Sequence, residues 1–486
     1  MGANGAEVSF MMQESFPDAQ GGASSPSPGP ASSSSPSTSG GGGGQGDHPG
    51  RRGGGGPGGR NRRRRRGRGR KPDGNHRGGP PRGNHGGHGH HGGGGGQGGG
   101  PELGYAPSPG EEITAEGTID GVIDVMHEGY GFLRNLKYCY LPHPSDVYVP
   151  ANLLRKYRVE QGVHVEGGVS PPRRPGQRPS LVTIDKLEGG PPEKYMEREP
   201  FKNLVTIDPT EWLKLEGEGT TDPLLRVIDL LIPIGKGQRC LIVAPPRTGK
   251  TIMLQRIGQA INRNYPGMKV FVLLINERPE EVTELRRSIK GEIIASSLDE
   301  LAPQHVGVAE MTLARAKTCV EMGEDVVVLA DSLTRMARAY NMEIEHSGRT
   351  LSGGVDSRAL ERPKTHFGAA RKVEGGGSLT IIASALIDTG SRMDQVIFEE
   401  FKGTGNSEIV LSRDLADRRI FPAIDINASG TRKEEKLLPE DILKRTWTLR
   451  RVLSKMKPVE AMELLVQKLM QTATNAEFLS KFIIRE

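Results

Sequence analysis

The stretch Cys240-Leu241-Ile242-Val243-Ala244-Pro245-Pro246-Arg247-Thr248-Gly249-Lys250-Thr251 runs five apolar residues into a kinked loop that closes on Gly-Lys-Thr. An apolar run of that length fits a buried strand, and the residues after Thr251 follow a helical pattern. In a strand–loop–helix unit of this kind, backbone N–H groups of the loop and of the helix N-terminus converge on anionic oxygens. Lys250 supplies a mobile cation for the β- and γ-phosphates, and the Thr251 hydroxyl is placed to ligate Mg²⁺. The chain is therefore expected to bind and hydrolyse a nucleoside triphosphate. The usual pattern opens on Gly; here Ala244 stands in that place and two prolines stiffen the loop.

Working outward, residues 270–275, 325–330 and 379–385 are further apolar runs alternating with helical patterns, which predicts buried parallel strands and an α/β nucleotide-binding domain. The run 325–330 ends on Asp331, where a strand-end carboxylate would hold the hydration shell of Mg²⁺. The run 270–275 is followed by Asn276, Glu277 and Arg278. Glu277 is placed to orient or deprotonate an attacking water, and Arg278 to contact phosphate or hold the acid. Glu280, Glu281 and Glu284 open the next helix and are expected to complement its dipole. Arg413, Arg419 and Arg432 lie near turns. A cation supplied by a neighbouring subunit would stabilise charge on the transferring phosphoryl group, although spacing alone equally allows surface arginines. Two Gly/Ser-rich loops, 347–355 and 388–392, carry Arg349 and Arg392; in a ring they would line a central channel, and otherwise they are ordinary connections.

Upstream, segments 117–125, 129–134, 146–149, 163–168 and 181–187 alternate like short strands, which predicts a small five-stranded Greek-key barrel. Tyr130 and Phe132 share one face of their strand, with Gly129 and Gly131 leaving the backbone open. The rings would form a stacking platform for unpaired bases, extended by Tyr148, with Arg134 and Arg178 placed for phosphates. In the alternative the rings fill the barrel core, for which Val122, Ile123, Leu133, Val147 and Val149 are also candidates.

Residues 1–110 consist largely of Gly, Ser, Pro, Arg and His, and cannot bury enough surface to offset chain entropy, so a disordered tail is expected. The first hundred residues hold net +8, against +6 for the whole chain of 486 residues, so the basicity belongs to the tail. An Arg/Gly tract binds polyanions with little sequence discrimination, RNA foremost; the alternative is a solubilising linker. The tail histidines His48, His76, His85, His88, His90 and His91 have no fixed metal-ligating spacing. Three cysteines without a C-x-x-C pair fit a reducing compartment, and no apolar stretch is long enough to cross a bilayer, so a cytoplasmic protein is expected.

Together the motifs resemble the bacterial Rho family of transcription termination factors, hexameric RNA-dependent ATPases and helicases with a RecA-like core. The resemblance covers 117–486 and rests on the strings at 128–134, 244–251, 275–283, 331–341, 351–356, 375–390, 401–406 and 421–435. It implies an OB-type, cold-shock-like barrel at 117–190, a linker at 191–222 and a RecA-like P-loop ATPase domain at 223–486. By resemblance, ATP is contacted by Gly235, Lys236, Gly237, Gln238, Arg239 and Cys240, by Arg247, Thr248, Gly249, Lys250, Thr251 and Ile252, and by Arg278, with Phe421 against the adenine. Glu277 is implied as catalytic base, Asp331 as the Mg²⁺-associated acid, Arg432 as a finger in trans, and Arg419 and Arg413 as links between subunits. Primary RNA contacts map to Gly129, Tyr130, Gly131, Phe132, Leu133 and Arg134, to Asp146, Val147 and Tyr148, and to Gln177, Arg178 and Pro179. Channel-side contacts map to Arg349 and Arg392. The implied partners are nascent single-stranded RNA, the transcribing RNA polymerase and further copies of the chain in a homohexamer. Arg247, Arg349 and Arg392 replace a commoner Lys, Asn276 a commoner Asp, and Pro179 a frequent aromatic. The competing function is an RNA-binding chaperone whose ATP site is largely structural.

Overall fold

A computed structural model describes residues 116–172, 174, 176–217, 219, 221–344 and 351–481. The expected tail, 1–110, and Arg349 lie outside the described residues.

The first domain is a closed barrel of six strands: β1 Gly117–Val125, β2 Gly131–Arg134, β3 Val147–Val149, β4 His164–Ser170, β5 Ser180–Leu181 and β6 Lys186–Leu187, with helix α1 Ala151–Tyr157 between β3 and β4. Strand order is β1-β2-β3-β5-β4-β6, and an added β1–β4 pairing closes it. Alternation sends Ile123, Leu133, Val147, Val149 and Val165 inward to a common apolar core. The expected strand 181–187 is split in two. The backbone of Thr183 crosses β4 so closely that a Cβ on Gly167 would lie 2.0 Å from the Thr183 carbonyl oxygen, and the ladder breaks at that crossing.

The expected linker, 191–222, begins with a segment that is pinned to both neighbours. Helix α2 Pro192–Met196 buries Tyr195 beneath the Arg198 guanidinium, 3.7 Å from the ring centroid. Arg198 Nε and the Phe201 N–H then both donate to Glu321, at 2.6 and 2.7 Å.

The second domain follows with β7 Thr206–Ile207, α3 Pro223–Leu231, β8 Arg239–Ala244, α4 Lys250–Asn264, β9 Lys269–Glu277, α5 Pro279–Ser288, β10 Glu292–Ser297, α6 Ala302–Glu321, β11 Asp325–Asp331 and α7 Leu333–Glu343. The chain continues through α8 Glu361–Gly368, β12 Arg371–Val373, β13 Ser378–Leu386, α9 Arg392–Lys402, β14 Ser407–Val410, α10 Arg413–Asp417 and β15 Gly430–Thr431, and ends in α11 Glu440–Leu453, α12 Pro458–Leu469 and α13 Asn475–Lys481. The main sheet order is β10-β9-β11-β13-β8-β14-β15, parallel throughout except for β15, and β12 and β7 extend it antiparallel from β13. Burial on both faces explains why 270–275, 325–330 and 379–385 are continuous apolar runs. The expected parallel α/β core is what forms.

The barrel docks on α6 through backbone. Gly162, at φ +86°, leaves no room for a side chain, because a Cβ there would lie 2.5 Å from the carbonyl carbon of Ala314 and from the amide nitrogen of Arg315. Around this contact Arg315 pairs with Glu188 of the barrel at 2.7 Å, and the Tyr140 hydroxyl donates to Glu292 at 2.5 Å.

Candidate nucleotide cleft and nucleic-acid interface

Strand β8 lies between β13 and β14, so the loop 245–249 leaves the sheet at its interior. Arg247 at φ +67° and Gly249 at φ +90° curl that loop, and the Thr248 hydroxyl donates back to the Pro245 carbonyl at 2.8 Å. Lys250 and Thr251 open α4 directly after the turn, as the sequence predicted.

The Lys250 ammonium donates to Asp331 Oδ1 and lies 3.5 Å from Glu277 Oε1. The two acids end neighbouring strands, β11 and β9, so their carboxylates flank the same cation. Glu277 is only 3% exposed. Burial raises its pKa above the ordinary carboxylate range, repulsion from Asp331 adds to that, and Lys250 and Arg335 oppose it. Asp331 accepts from the Ser384 hydroxyl at 2.8 Å through Oδ1, while its Oδ2 is buried with no protein partner. Thr251 donates to Glu281 Oε2 at 3.2 Å, so Glu281 faces the cleft in addition to opening α5. An orphaned carboxylate oxygen beside a hydroxyl and a second acid fits a hydrated divalent cation.

Arg335 escaped the sequence reading. Its Nη1 lies 2.8 Å from Glu277 Oε1 and also donates to the Asn276 carbonyl. One signal was available: Arg335 stands in the first turn of α7, after the Ser332 cap, where the helix dipole disfavours a cation. Arg278, exposed, is the residue before α5 and adjoins Glu277.

Beside Gly249 a cavity of about 370 Å³ is walled by Pro223, Leu224, Ile252, Met253, Phe421 and Pro422. Phe421 is 47% exposed and faces Gly249, with ring carbon Cε1 4.0 Å from where a Cβ would sit. An apolar slot adjoining a phosphate loop suits a flat heterocycle. Arg413 and Arg419 lie in the segment leading to Phe421; Arg413 pairs with Asp417 at 3.6 Å and Arg419 is exposed at φ +64°.

The residues 235–240 require a correction. They precede or start β8, and the loop leaves its far end, so the strand separates Arg239 from the cleft by roughly 17 Å at ~3.3 Å per residue. Gly235 is enclosed by Leu437 and Pro209, Gly237 abuts the Lys372 backbone, Lys236 pairs with Asp325 and Glu211, and Gln238 donates to Asn406. Cys240 is fully buried and its thiol is pushed up to about 12 by burial, the behaviour of a core residue rather than a ligand. None of these six reaches the phosphate loop of its own chain. Arg432 sits at this same far edge: β15 pairs with β14 through Thr431↔Ser407, and Ser407 pairs with Cys240. It is exposed, and close enough to Arg239 to lower that guanidinium's pKa, an effect second to burial.

On the barrel, Phe132 on β2 stands opposite Tyr148 on β3, and Tyr130 just before β2 completes a three-ring cluster with centroids 5.5 to 6.1 Å apart. The rings expected to form a stacking platform are arranged as a cradle, since Tyr130 and Phe132 meet edge to face at 88° and Tyr148 is 7% exposed beneath them. Tyr130 and Phe132 stay half-exposed and outside the apolar core. Leu133 and Val147, by contrast, point into that core, so their side chains cannot meet RNA.

Arg134 is likewise corrected. It is 5% exposed and forks across Asp124 (2.8 and 2.5 Å) and Asp146 (2.5 Å), which leaves it holding the strands together under Phe132 rather than facing phosphate. Arg178 lies 5.2 Å from the Phe132 centroid and donates to the His143 carbonyl at 2.7 Å. Gln177 and Pro179 lead into β5, where the Tyr148 N–H donates to the Pro179 carbonyl at 2.9 Å; Gly129, at φ +88°, and Gly131 flank Tyr130. Pro179 therefore acts here through its backbone.

The described part of the first Gly-rich loop, 351–355, meets the second. A Cβ on Gly353 would lie 2.9 Å from the backbone of exposed Arg392, at the start of α9, and Asn341 ties the first loop to α7 through Gly354 and Asp356.

Residues 225–431 match the nucleotide-binding domain of the ATP synthase alpha/beta family, and residues 119–193 match the RNA-binding domain of the Rho termination factor. The chain is 54% identical over 361 residues to transcription termination factor Rho of Cereibacter sphaeroides, covering 74% of this chain and 86% of that protein. It is 53% identical over 360 residues to that of Haemophilus influenzae, with the same coverage, and 52% identical over 371 residues to that of Pseudomonas aeruginosa, covering 76% of this chain and 88% of that protein.

Proposed function

From the premise that this chain belongs to the transcription termination factor Rho family, we propose how its parts divide the work. It is an ATP-hydrolysing, RNA-binding terminator: RNA-dependent hydrolysis drives 5′-to-3′ translocation and helicase action that releases the transcript from its template and polymerase. The observation that carries the division is the Lys250 ammonium held between two strand-end acids, Glu277 and Asp331, while Arg432 stands at the opposite edge of the same sheet.

Lys250 and the N–H groups of 247–251 hold the β- and γ-phosphates, and Phe421 with Ile252 receives the adenine. Thr251 and, through water, Asp331 would hold Mg²⁺, which supplies charge neutralisation of the triphosphate. Glu277 accepts a proton from the attacking water once the phosphates have drawn Lys250 away from it. Arg432 cannot reach its own cleft across the sheet, which supports a finger in trans and a closed ring, a homohexamer by family. Arg239 shares the Arg432 edge and belongs to the face turned to the neighbour, with Arg413 and Arg419 linking the subunits beside Phe421. Tyr130 and Phe132, backed by the buried Tyr148, capture bases of nascent RNA, and Arg392 with Arg349 grips the strand in the channel. No helix among the described residues is long and apolar enough to cross a membrane, in keeping with a cytoplasmic site of action beside RNA polymerase.

ATP turnover measured with RNA, with single-stranded DNA and with no polymer tests this reading. Strong stimulation by RNA alone is expected; equal turnover in all three would favour the chaperone alternative with a structural ATP site.

A further inference from the structure

Next to the proposed base the chain takes an unusual path. Asn276, one residue before Glu277, has φ +56°, a left-handed conformation that few residues other than Gly adopt readily and that Asn tolerates best. That turn aims its carbonyl at Arg335, the cation whose Nη1 also lies 2.8 Å from Glu277 Oε1. The backbone at 276 thus sets where the guanidinium stands, and the guanidinium flanks the carboxylate that must meet water.

What holds Asn276 in place comes from elsewhere in the fold. Its side-chain amide lies 3.4 Å from His305 Nε2, on α6, and the other ring nitrogen, Nδ1, contacts the Ser296 hydroxyl at the end of β10. Ser296 in turn donates to Glu300 Oε2 at 2.7 Å. These contacts fix every proton. The hydroxyl has one hydrogen and gives it to the Glu300 carboxylate, so it accepts from His305 Nδ1–H. Nε2 then carries the lone pair and accepts from the Asn276 amide. Burial favours this neutral ring by lowering its pKa, against a smaller opposing pull from Glu300. An Asp at 276 could not donate; the ring would have to present a proton at Nε2, either by taking up a second proton and becoming charged or by giving up its Nδ1 proton, in which case Glu300 would lose the Ser296 hydrogen.

We propose that Asn276, His305, Ser296 and Glu300 form a one-directional positioning relay that fixes Arg335, and through it Glu277, in the geometry of the hydrolytic step. None of the four is placed against nucleotide or RNA; they act through Arg335. The inference rests on Glu277 being the base, so the test includes that residue.

Asn276→Gly is the decisive variant, because Gly keeps the left-handed backbone at least as easily and removes only the amide. RNA-stimulated turnover is expected to fall at least tenfold, with KM for ATP and affinity for RNA within about twofold of wild type, since sub-ångström misplacement of a base acts on kcat. His305→Ala should give the same loss, and the double variant should be no worse than either single one, as members of one chain are non-additive. Melting curves confirm that each variant is folded at the assay temperature, and Ser296→Ala substitutes if His305→Ala is not. Wild-type turnover in Asn276→Gly alongside an inactive Glu277→Gln overturns the relay and leaves the base assignment standing. Wild-type turnover in Glu277→Gln overturns the base assignment itself.

Discussion

Replacing Arg134 with Lys separates a structural cation from an RNA contact. The guanidinium makes three charge-assisted hydrogen bonds, two to Asp124 and one to Asp146. An ammonium has no fork and can serve only one of those carboxylates. If it keeps Asp124, the buried Asp146 is left with the His143 N–H at 2.7 Å and no cation. Stranding a buried charge in this way costs about 3–5 kcal/mol, and because one pair survives the lower figure applies. At about 4–8 °C per kcal/mol for a domain of the barrel's size, the barrel's own unfolding transition should drop by roughly 12–24 °C. Differential scanning calorimetry reads that shift. Below the transition, filter-binding titrations of single-stranded RNA across a salt series should give an unchanged slope even for Arg134→Met, because no phosphate contact is lost. Arg134 is a phosphate contact and not a structural cation if Arg134→Lys melts with wild type and Arg134→Met flattens the slope by about 0.7, the contribution of one phosphate on a single strand.

Glu277→Gln should lower RNA-stimulated turnover by roughly 10²- to 10⁴-fold while leaving nucleotide binding intact. Because burial and Asp331 raise the folded-state pKa of this acid, its contribution to stability is fully present below its unfolded value and is lost as pH rises through the folded one. The Gln variant should therefore gain on wild type in melting temperature from about pH 4 toward neutrality, and a constant difference would count against the raised value. Phe421→Ala should weaken ATP binding by roughly 5- to 150-fold with little change in kcat, the range expected for about 1–3 kcal/mol of base stacking. Rings mixed from inactive Arg432→Ala and Lys250→Ala subunits should regain turnover where an intact cleft meets an intact finger; no recovery in verified mixed rings would argue against action in trans. Deleting residues 1–110 is expected to weaken RNA binding at low salt and to flatten its salt dependence without lowering turnover at saturating RNA, whereas an unchanged slope would leave the tail as a solubilising linker.

The cleft was legible because its signals are local. A strand, a loop and Gly-Lys-Thr are contiguous, and Glu277 and Asp331 each terminate an apolar run that marks itself as a strand. What stayed hidden depends on distance across the fold. Arg335 meets Glu277 from a different element, and nothing within the string 331–341 says which way its side chain turns. Arg134 looked available for phosphate because its two acids are ten and twelve positions away and converge only when the barrel closes. Residues 235–240 are next to the phosphate loop in sequence but a full strand length away in space, a separation that proximity along the chain conceals. The sixth barrel strand was missed because a backbone crossing at Gly167, invisible to alternation, cuts one apolar run in two.

The contact of Gly162 with the 314–315 backbone bears on how force passes through the molecule. Side chains at an interface act as springs, since rotamers yield before backbones do. Where main chain rests on main chain there is little to compress, and Arg315, the residue touched, is itself clamped to Glu188 of the barrel. If Tyr130 and Phe132 hold RNA as proposed, tension on that strand reaches α6 with little slack, as through a bolted flange. Helix α6 packs against β9, the strand that ends in Glu277. Anyone grafting a foreign RNA-binding module onto this motor must preserve a glycine at that seat, because even a methyl group would lift the module off its mounting and turn a stiff coupling into a loose one.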